Sequence, residues 1–281
     1  MKKIFFLVIV LFTFSIGYSQ TKYPLDSLLF TKYQYRNIGP FRGGRASGVC
    51  GDYKNKQVFY MGATGGGVWQ TKDGGSHWKN ISDPYFGGSI GSVEVCPTDP
   101  LLIYAGTGEN TLRGNVSEGH GMWKSVNGGK TWQFVGLKDT RHITKIIFHP
   151  KNADIVYCAA TGHLFGANDE RGVFKTVDGG KSWQKILFIN DEVGAIDMAL
   201  DPMNPNTIYA STWRIKRTPY SLESGGEGSG LWKSIDGGEN WKNISKNKGF
   251  PKDTLGIIGI SICNSNTEKL YAIVESKTGG L

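Results

Sequence analysis

Long apolar runs, amphipathic helices and clustered cysteines are all scarce in this 281-residue chain, and each scarcity removes a class of protein. Beyond residue 19 no segment approaches the roughly 20 apolar residues that a membrane-spanning helix needs, so no membrane span is expected once an N-terminal leader is cleaved. The four cysteines, Cys50, Cys96, Cys158 and Cys263, lie far apart with neither a CxxC pair nor metal-ligand spacing. They read as small hydrophobes in strands rather than as a disulfide framework. No metal and no cofactor is expected. No nucleophile elbow, P-loop, HExxH or dinucleotide fingerprint occurs, which removes the common motif-borne chemistries. Charged residues make up only 20% of the chain, and the formal +8 is scattered without a Lys/Arg block. That pattern argues against a nucleic-acid partner.

What the chain has in abundance is glycine, 40 of 281 residues, about twice the usual ~7%. With 39% hydrophobic residues and no G-X-Y period, neither collagen nor a low-complexity chain fits. Many tight turns between short packed strands do fit, so the fold class is expected to be all-β. At the N-terminus, Lys2 and Lys3 precede an apolar run from Ile4 to Phe14, and Gly17-Tyr18-Ser19 supplies small residues where a signal peptidase acts. Residues 1–19 therefore read as a Sec-type signal peptide, with a retained anchor as the alternative, and the mature chain is expected to be secreted or periplasmic. Residues 20–32 read as a linker and 33–281 as one repeat domain.

The repeat is an eight-residue pattern, S/T-x-D/N-G-G-x-x-W. It appears as Thr71-Lys-Asp73-Gly74-Gly75-Ser-His-Trp78, Ser125-Val-Asn127-Gly128-Gly129-Lys-Thr-Trp132, Thr176-Val-Asp178-Gly179-Gly180-Lys-Ser-Trp183 and Ser234-Ile-Asp236-Gly237-Gly238-Glu-Asn-Trp241. Its third residue recurs at intervals of 54, 51 and 58. The Gly-Gly pair suits the positive-φ positions of a hairpin turn, and the Asp or Asn side chain can accept backbone N–H groups within it. Asp73, Asn127, Asp178 and Asp236 are therefore expected to be turn staples, and Trp78, Trp132, Trp183 and Trp241 to pack between sheets. Three further apolar segments recur around each box. Four short strands per unit of about 50 residues describe a β-propeller blade.

The ends of the chain carry an expectation of their own. Tyr35-Arg-Asn-Ile38-Gly-Pro40 matches the fourth strand Trp78-Lys-Asn-Ile81 and would complete the last blade of a ring. Thr278-Gly-Gly-Leu281 matches Thr64-Gly65-Gly66-Gly67, just before a third strand. The expected architecture is four whole blades plus a partial fifth, a fragment of a larger propeller, with a self-contained five-blade ring as the alternative.

The repeated box resembles the Asp-box, or BNR repeat, of sialidases, sortilin-type receptors, xyloglucanases and photosystem-assembly propellers. Residues 33–281 are most similar to large exported bacterial proteins with sortilin-like Asp-box repeats, often labelled glycosyl hydrolases. Ile38-Gly-Pro-Phe-Arg42-Gly-Gly-Arg45, Ala63-Thr-Gly-Gly-Gly-Val-Trp69 and Asp139-Thr-Arg-His142 carry that similarity. In the xyloglucanase-like family a catalytic aspartate stands in a Tyr-x-x-x-Asp-x-Gly-Gly stretch. The matching stretch here is Tyr60-Met-Gly-Ala-Thr64-Gly65-Gly66-Gly67, with Thr64 in the aspartate's place. The sialidase arginine triad has no match at its first member.

Strand parity puts the boxes on one face of the propeller and the second-to-third loops and blade connections on the other. The ligand-binding face is expected to carry Arg42, Arg45, Thr64, Arg113, His120, His142, His163, Trp213, Arg217 and Tyr220, with Arg141, Asp191 and Glu192 on the connections. Mixed aromatic, guanidinium and carboxylate groups suit a glycan, peptide or protein ligand. A binding scaffold is the first reading. A glycoside hydrolase is the alternative, for which two carboxylates are normally required, and Glu109, Glu118, Asp169 and Glu170 are the weak candidates.

Overall fold

The computed structural model describes residues 45–277 apart from Leu112. The leader, the linker, Arg42 and the strand expected at 35–40 lie outside the described residues. The chain divides into two compact units, Met1–Gly43 and Gly44–Leu281, and every described residue belongs to the second.

The described residues form antiparallel sheets whose strands follow one another in chain order. The first sheet is β1 (Ala46–Gly51), β2 (Phe59–Ala63), β3 (Gly67–Thr71) and β4 (Lys79–Asn80). The second is β5 (Ile90–Val95), β6 (Ile103–Thr107), β7 (Met122–Ser125) and β8 (Gln133–Phe134). The third is β9 (Ile143–His149), β10 (Asn152–Ala160), β11 (Gly172–Thr176) and β12 (Gln184–Leu187). The fourth contains β13 (Val193–Leu200), β14 (Ile208–Arg217), β15 (Leu222–Ser224), β16 (Gly230–Ser234) and β17 (Lys242–Asn243), with β15 paired only to the overhanging end of β14. Strands β18 (Leu255–Ile262) and β19 (Leu270–Ser276) pair as a fifth, two-stranded sheet. The first strands lie against one another in sequence, β1 on β5, β5 on β9, β9 on β13 and β13 on β18. That is the radial order of a propeller, with four blades and half of a fifth described.

Apolar alternation along the strands fills the spaces between blades. Val58, Tyr60, Val68, Ile90, Val95 and Trp132 pack between the first and second blades, and Tyr104, Ile143, Phe148 and Phe174 between the second and third. Ile208, Met198, Val173 and Tyr157 fill the next interface. Cys96 and Cys158 are buried, Cys50 and Cys263 are half-buried, and all four are free thiols.

The boxes are the turns between third and fourth strands, and each closes in the same way. In the first, Gly75 N–H donates to Thr71 Oγ1 at 2.9 Å, Thr71 Oγ1 donates to Asp73 Oδ1 at 2.8 Å, and His77 N–H donates to Asp73 Oδ1 at 2.9 Å. Asn127, Asp178 and Asp236 accept the backbone N–H of Thr131, Ser182 and Asn240, each at 2.9 Å. The first glycine donates its N–H to the first-to-second turn of the same blade, at Gln57, Leu101, Asp154 and Asn206 in turn. Both glycines have positive φ in all four boxes. The N–H and hydroxyl groups donating to the ionised carboxylates hold Asp73 and Asp236 down at about 2 and lower Asp178 as well. These aspartates are permanently ionised staples at neutral pH.

The tryptophans do not all behave alike. Trp132 Nε1 donates to Ile81 O at 2.9 Å and Trp183 Nε1 to Val135 O at 2.7 Å, so each reaches the fourth-strand side of the preceding blade. Trp241 is half-buried against the third-to-fourth blade core and donates to Gly238 O of its own turn. Trp78 departs from the expected packing between sheets. It is 37% exposed and donates to Gly75 O of its own turn. Its indole N–H is satisfied by the turn it leaves, as that of Trp241 is by Gly238 O.

Candidate functional site

The face opposite the boxes is built from three long second-to-third loops, 108–121, 161–171 and 213–229, and from the blade connections. Every described arginine lies there: Arg45 and Arg141 on connections, Arg113 and Arg171 on loops, and Arg214 and Arg217 on the overhanging end of β14.

The centre of the charge network is Glu109. Its carboxylate has no solvent exposure and sits between Arg45 Nη2 at 2.7 Å and Arg113 Nε at 2.7 Å. Arg113 Nη2 donates to the other oxygen at 2.9 Å, and Thr111 Oγ1 and Ser117 N–H also donate to the group. Burial pushes its pKa up, but Arg113, Ser117 and Thr111 outweigh burial and hold it below the ordinary carboxylate value. Glu109 is thus a clamp between the first blade's entry and the second blade's loop, turned away from any ligand and unable to supply a proton near neutral pH.

The other expected residues separate by position. Glu118 is exposed and pairs with Arg141 Nη1 at 2.7 Å, while Arg141 Nε donates to His163 Nε2 at 3.1 Å. Asp169 is exposed and Glu170 half-buried, 3.7 Å from Lys185 Nζ. His120 is exposed, with its backbone N–H on Thr107 Oγ1 at 2.6 Å. Thr64 is half-buried, and its hydroxyl is sequestered without a hydrogen-bond partner. Tyr220 stands 90% exposed.

Two expected ligand contacts face inward. His142 is fully buried, and its Nδ1 donates to Glu109 O at 3.0 Å. Burial lowers its pKa to about 4, so it is neutral. Trp213 is 2% exposed because it packs with Val116, Leu164 and Ile215 into an apolar cap. That cap joins the loops of three blades and hides Trp213, while His142 is turned in onto the Glu109 carbonyl, so neither side chain is displayed as the sequence suggested.

Some residues of this face were not anticipated as structural locks. Arg171 is buried and donates to the carbonyls of His163, Gly166 and Glu192 and to Asn168 Oδ1, which pins the 161–171 loop. Arg214 pairs with Glu192 at 2.9 Å and Glu223 at 3.5 Å. A second location is the cleft on the propeller axis, about 360 Å³, lined by first-strand residues of all five sheets. It holds Glu94, Lys145 and Asp197. Burial raises Glu94 to about 7, while Tyr53 and Lys145 oppose the shift. The one sign of this in the sequence is a carboxylate inside the apolar strand Ser92-Val-Glu94-Val-Cys96. No group of three or more His, Cys, Asp or Glu side chains arranged to hold a metal is found among the described residues.

Comparison with known proteins fits this geometry. The Sortilin-Vps10 family model (sortilin, neurotensin receptor 3) matches residues 120–252. A xyloglucanase of Paenibacillus sp is 23% identical over 237 residues, 76% of this chain and 22% of the relative. The curated relatives are matched over only 21 to 25% of their own length. Among solved structures, an ancestral GH74 enzyme superposes with a TM-score of 0.64 at 23% identity, covering 87% of this chain and 29% of that one. YCF48 from Cyanidioschyzon merolae superposes with a TM-score of 0.52 at 12% identity, covering 85% of this chain and 67% of that one. No helix among the described residues is long and apolar enough to cross a membrane. By its repeated box and by its fold, the chain is a sortilin-like, xyloglucanase-like Asp-box β-propeller.

Proposed function

We propose that the chain is an exported Asp-box propeller whose loop face is a binding scaffold for a glycan, peptide or protein ligand. The observation that carries this reading is the state of the loop-face carboxylates. Glu109 is held by Arg45 and Arg113, Glu118 by Arg141, and Glu192 and Glu223 by Arg214. Glu109, held below the ordinary carboxylate value by Arg113, Ser117 and Thr111, is a poor general acid near neutral pH. The same pairs hold the loops in place, which reduces the ordering cost of binding. Export rests on the leader read at residues 1–19, and the assignment of 33–281 to one domain rests on the repeat.

A second reading, glycoside hydrolysis, is favoured by the similarity to xyloglucanases. It would need a pair of carboxylates across a cleft, and Thr64 stands where the resemblance asks for one. The test of the binding reading is an array of oligosaccharides and peptides probed with the wild-type chain, with Arg141→Glu on the loop face and with Lys181→Glu on the box face. Binding weakened about tenfold or more by Arg141→Glu and untouched by Lys181→Glu is expected; the reverse pattern contradicts it.

A further inference from the structure

Strand β14 runs past its sheet and turns back as the hairpin Ile215–Ser224, pairing Ile215 with Ser224, Lys216 with Glu223 and Arg217 with Leu222. The base of this hairpin is held from three blades. Ile215 is buried with Val116 of the second blade's loop and Leu164 of the third's. Arg217 N–H donates to Leu164 O at 2.7 Å. Ser224 Oγ accepts from Trp213 Nε1 at 3.0 Å and donates to Glu275 Oε2 of the fifth sheet at 2.6 Å. The turn itself is closed by Thr218 N–H donating to Ser221 O at 3.0 Å and by the two hydroxyls of Thr218 and Ser221 at 2.6 Å. Tyr220 stands at the tip, 90% exposed. The braced turn fixes the backbone beneath the exposed ring, so that little main-chain freedom is lost when something packs against it.

Arg217 differs from the other arginines of this face. Arg45, Arg113, Arg141 and Arg214 each reach a carboxylate, and Arg171 is bound to loop carbonyls and Asn168. The Arg217 guanidinium has no hydrogen-bond or ion-pair partner among the described residues, and its Nε is buried. The half-buried guanidinium thus carries a charge without a protein counter-ion, and an anion that reaches its terminal nitrogens would supply one. Gly114 of the neighbouring loop borders the group. A Cβ there would stand 3.1 Å from Arg217 Nη2, so the glycine leaves free the space that a side chain would take.

We propose that Arg217 and Tyr220 form a subsite for an acidic sugar, the guanidinium binding the carboxylate of a uronic acid while the tyrosine ring lies against the pyranose. Charge-assisted N–H···O bonds to a carboxylate suit the planar guanidinium. The surroundings are polar, with the mutually bonded hydroxyls of Thr218 and Ser221 and the amide of Asn115, whose Oδ1 accepts from Arg113 Nη1, rather than the apolar pocket that a peptide side chain would fill. The proposal rests on the loop-face reading above and deepens it.

The experiment is calorimetric titration of the 281-residue chain with an oligogalacturonate, a neutral xyloglucan oligosaccharide and a glutamate-rich hexapeptide. Oligogalacturonate is expected to bind in preference to the other two, with Arg217→Gln weakening it at least tenfold and Tyr220→Ala severalfold. Neither variant should lower the thermal midpoint, since Arg217 has no side-chain partner to lose and Tyr220 packs on little. Equal affinity in wild type and Arg217→Gln, failure of the wild type to bind oligogalacturonate, or equally tight and Arg217-dependent binding of the hexapeptide would each overturn the subsite. If a probe is lost in Arg141→Glu but not in Arg217→Gln, the subsite fails while the loop-face reading stands; if binding survives both Arg141→Glu and Arg217→Gln, the loop-face reading fails too.

Discussion

At the scale of single residues, the charges of the loop face hold blades and loops together. Glu109 joins Arg45, 64 positions away in the chain, to Arg113, which is four positions away. Replacing it with glutamine leaves two guanidinium groups without their anion. Arg45 and Arg113 keep 48% and 29% side-chain exposure, so water recovers part of the loss. Glu109→Gln is expected to cost roughly 2–3 kcal/mol at pH 7, somewhat below the range for a fully buried pair, read as a shift in urea midpoint at constant m. Because the folded pKa of Glu109 is lowered, its contribution is complete above the ordinary value of 4.5 and is lost as pH falls through the folded value.

Buried His142 and half-buried Glu94 impose opposite pH dependences. His142, lowered from 6.5 to about 4 chiefly by burial, stays neutral in the fold while the unfolded chain takes up a proton. Its contribution is present above pH 6.5 and is lost between 6.5 and about 4. Glu94, raised from 4.5 to about 7 chiefly by burial, behaves in reverse: the fold favours its protonated form, and stability is lost as pH rises through about 7. Glu94→Gln is therefore expected to raise stability at pH 8 by roughly 1–3 kcal/mol, and His142→Gln to flatten the acid limb. Denaturant titrations at pH 4.5, 6 and 8 check both signs.

At the scale of elements, the box is a joint between blades as well as a turn. The second glycine of the second and fourth boxes sits against the end of the preceding blade's last strand, and that of the third against Tyr104. A Cβ on Gly129 would meet Ile81 Cδ1, and one on Gly238 would meet Ile186 Cδ1, while one on Gly75 meets nothing closer than Trp78 Nε1 at 3.9 Å. All three have positive φ. Ala at Gly75 should therefore cost only the backbone penalty, about 1–2 kcal/mol, whereas Gly129→Ala should cost about 1–3 kcal/mol more from overpacking. Thermal unfolding of both variants, with Gly129→Ala also made in an Ile81→Val background, measures the difference. Relief in that background is the expected sign of the contact.

The repeat made this element legible before any coordinates. Asp73, Asn127, Asp178 and Asp236 recur with the same neighbours, and a side chain that serves a local turn carries its partners within eight residues. Third and fourth strands and the face opposite the boxes follow from that turn by parity. The Glu109 clamp was not legible, since its partner at Arg45 meets it only once two blades are packed side by side. His142 and Trp213 were expected outside because loops are usually displayed, but His142 turns in onto Glu109 O and Trp213 is covered where three loops bury one another over Val116, Leu164 and Ile215. The hairpin through β15 left no trace either, being a short excursion without alternating apolar residues.

At the scale of the whole molecule, the two faces divide the work. Box turns, each tied to the first-to-second turn of its own blade, close one face with short repeated geometry. The other face carries the long loops and all the described arginines, braced by Glu109, Glu118, Glu192 and Glu223. These four carboxylates are engaged in ion pairs that brace the face, as the proposed recognition role requires. The most direct measurement is reducing-end release from xyloglucan by the 281-residue chain, run beside Glu118→Gln and Asp169→Asn. A binding scaffold predicts no turnover above the protein-free blank in any of the three; turnover by the wild type that either substitution abolishes would contradict it.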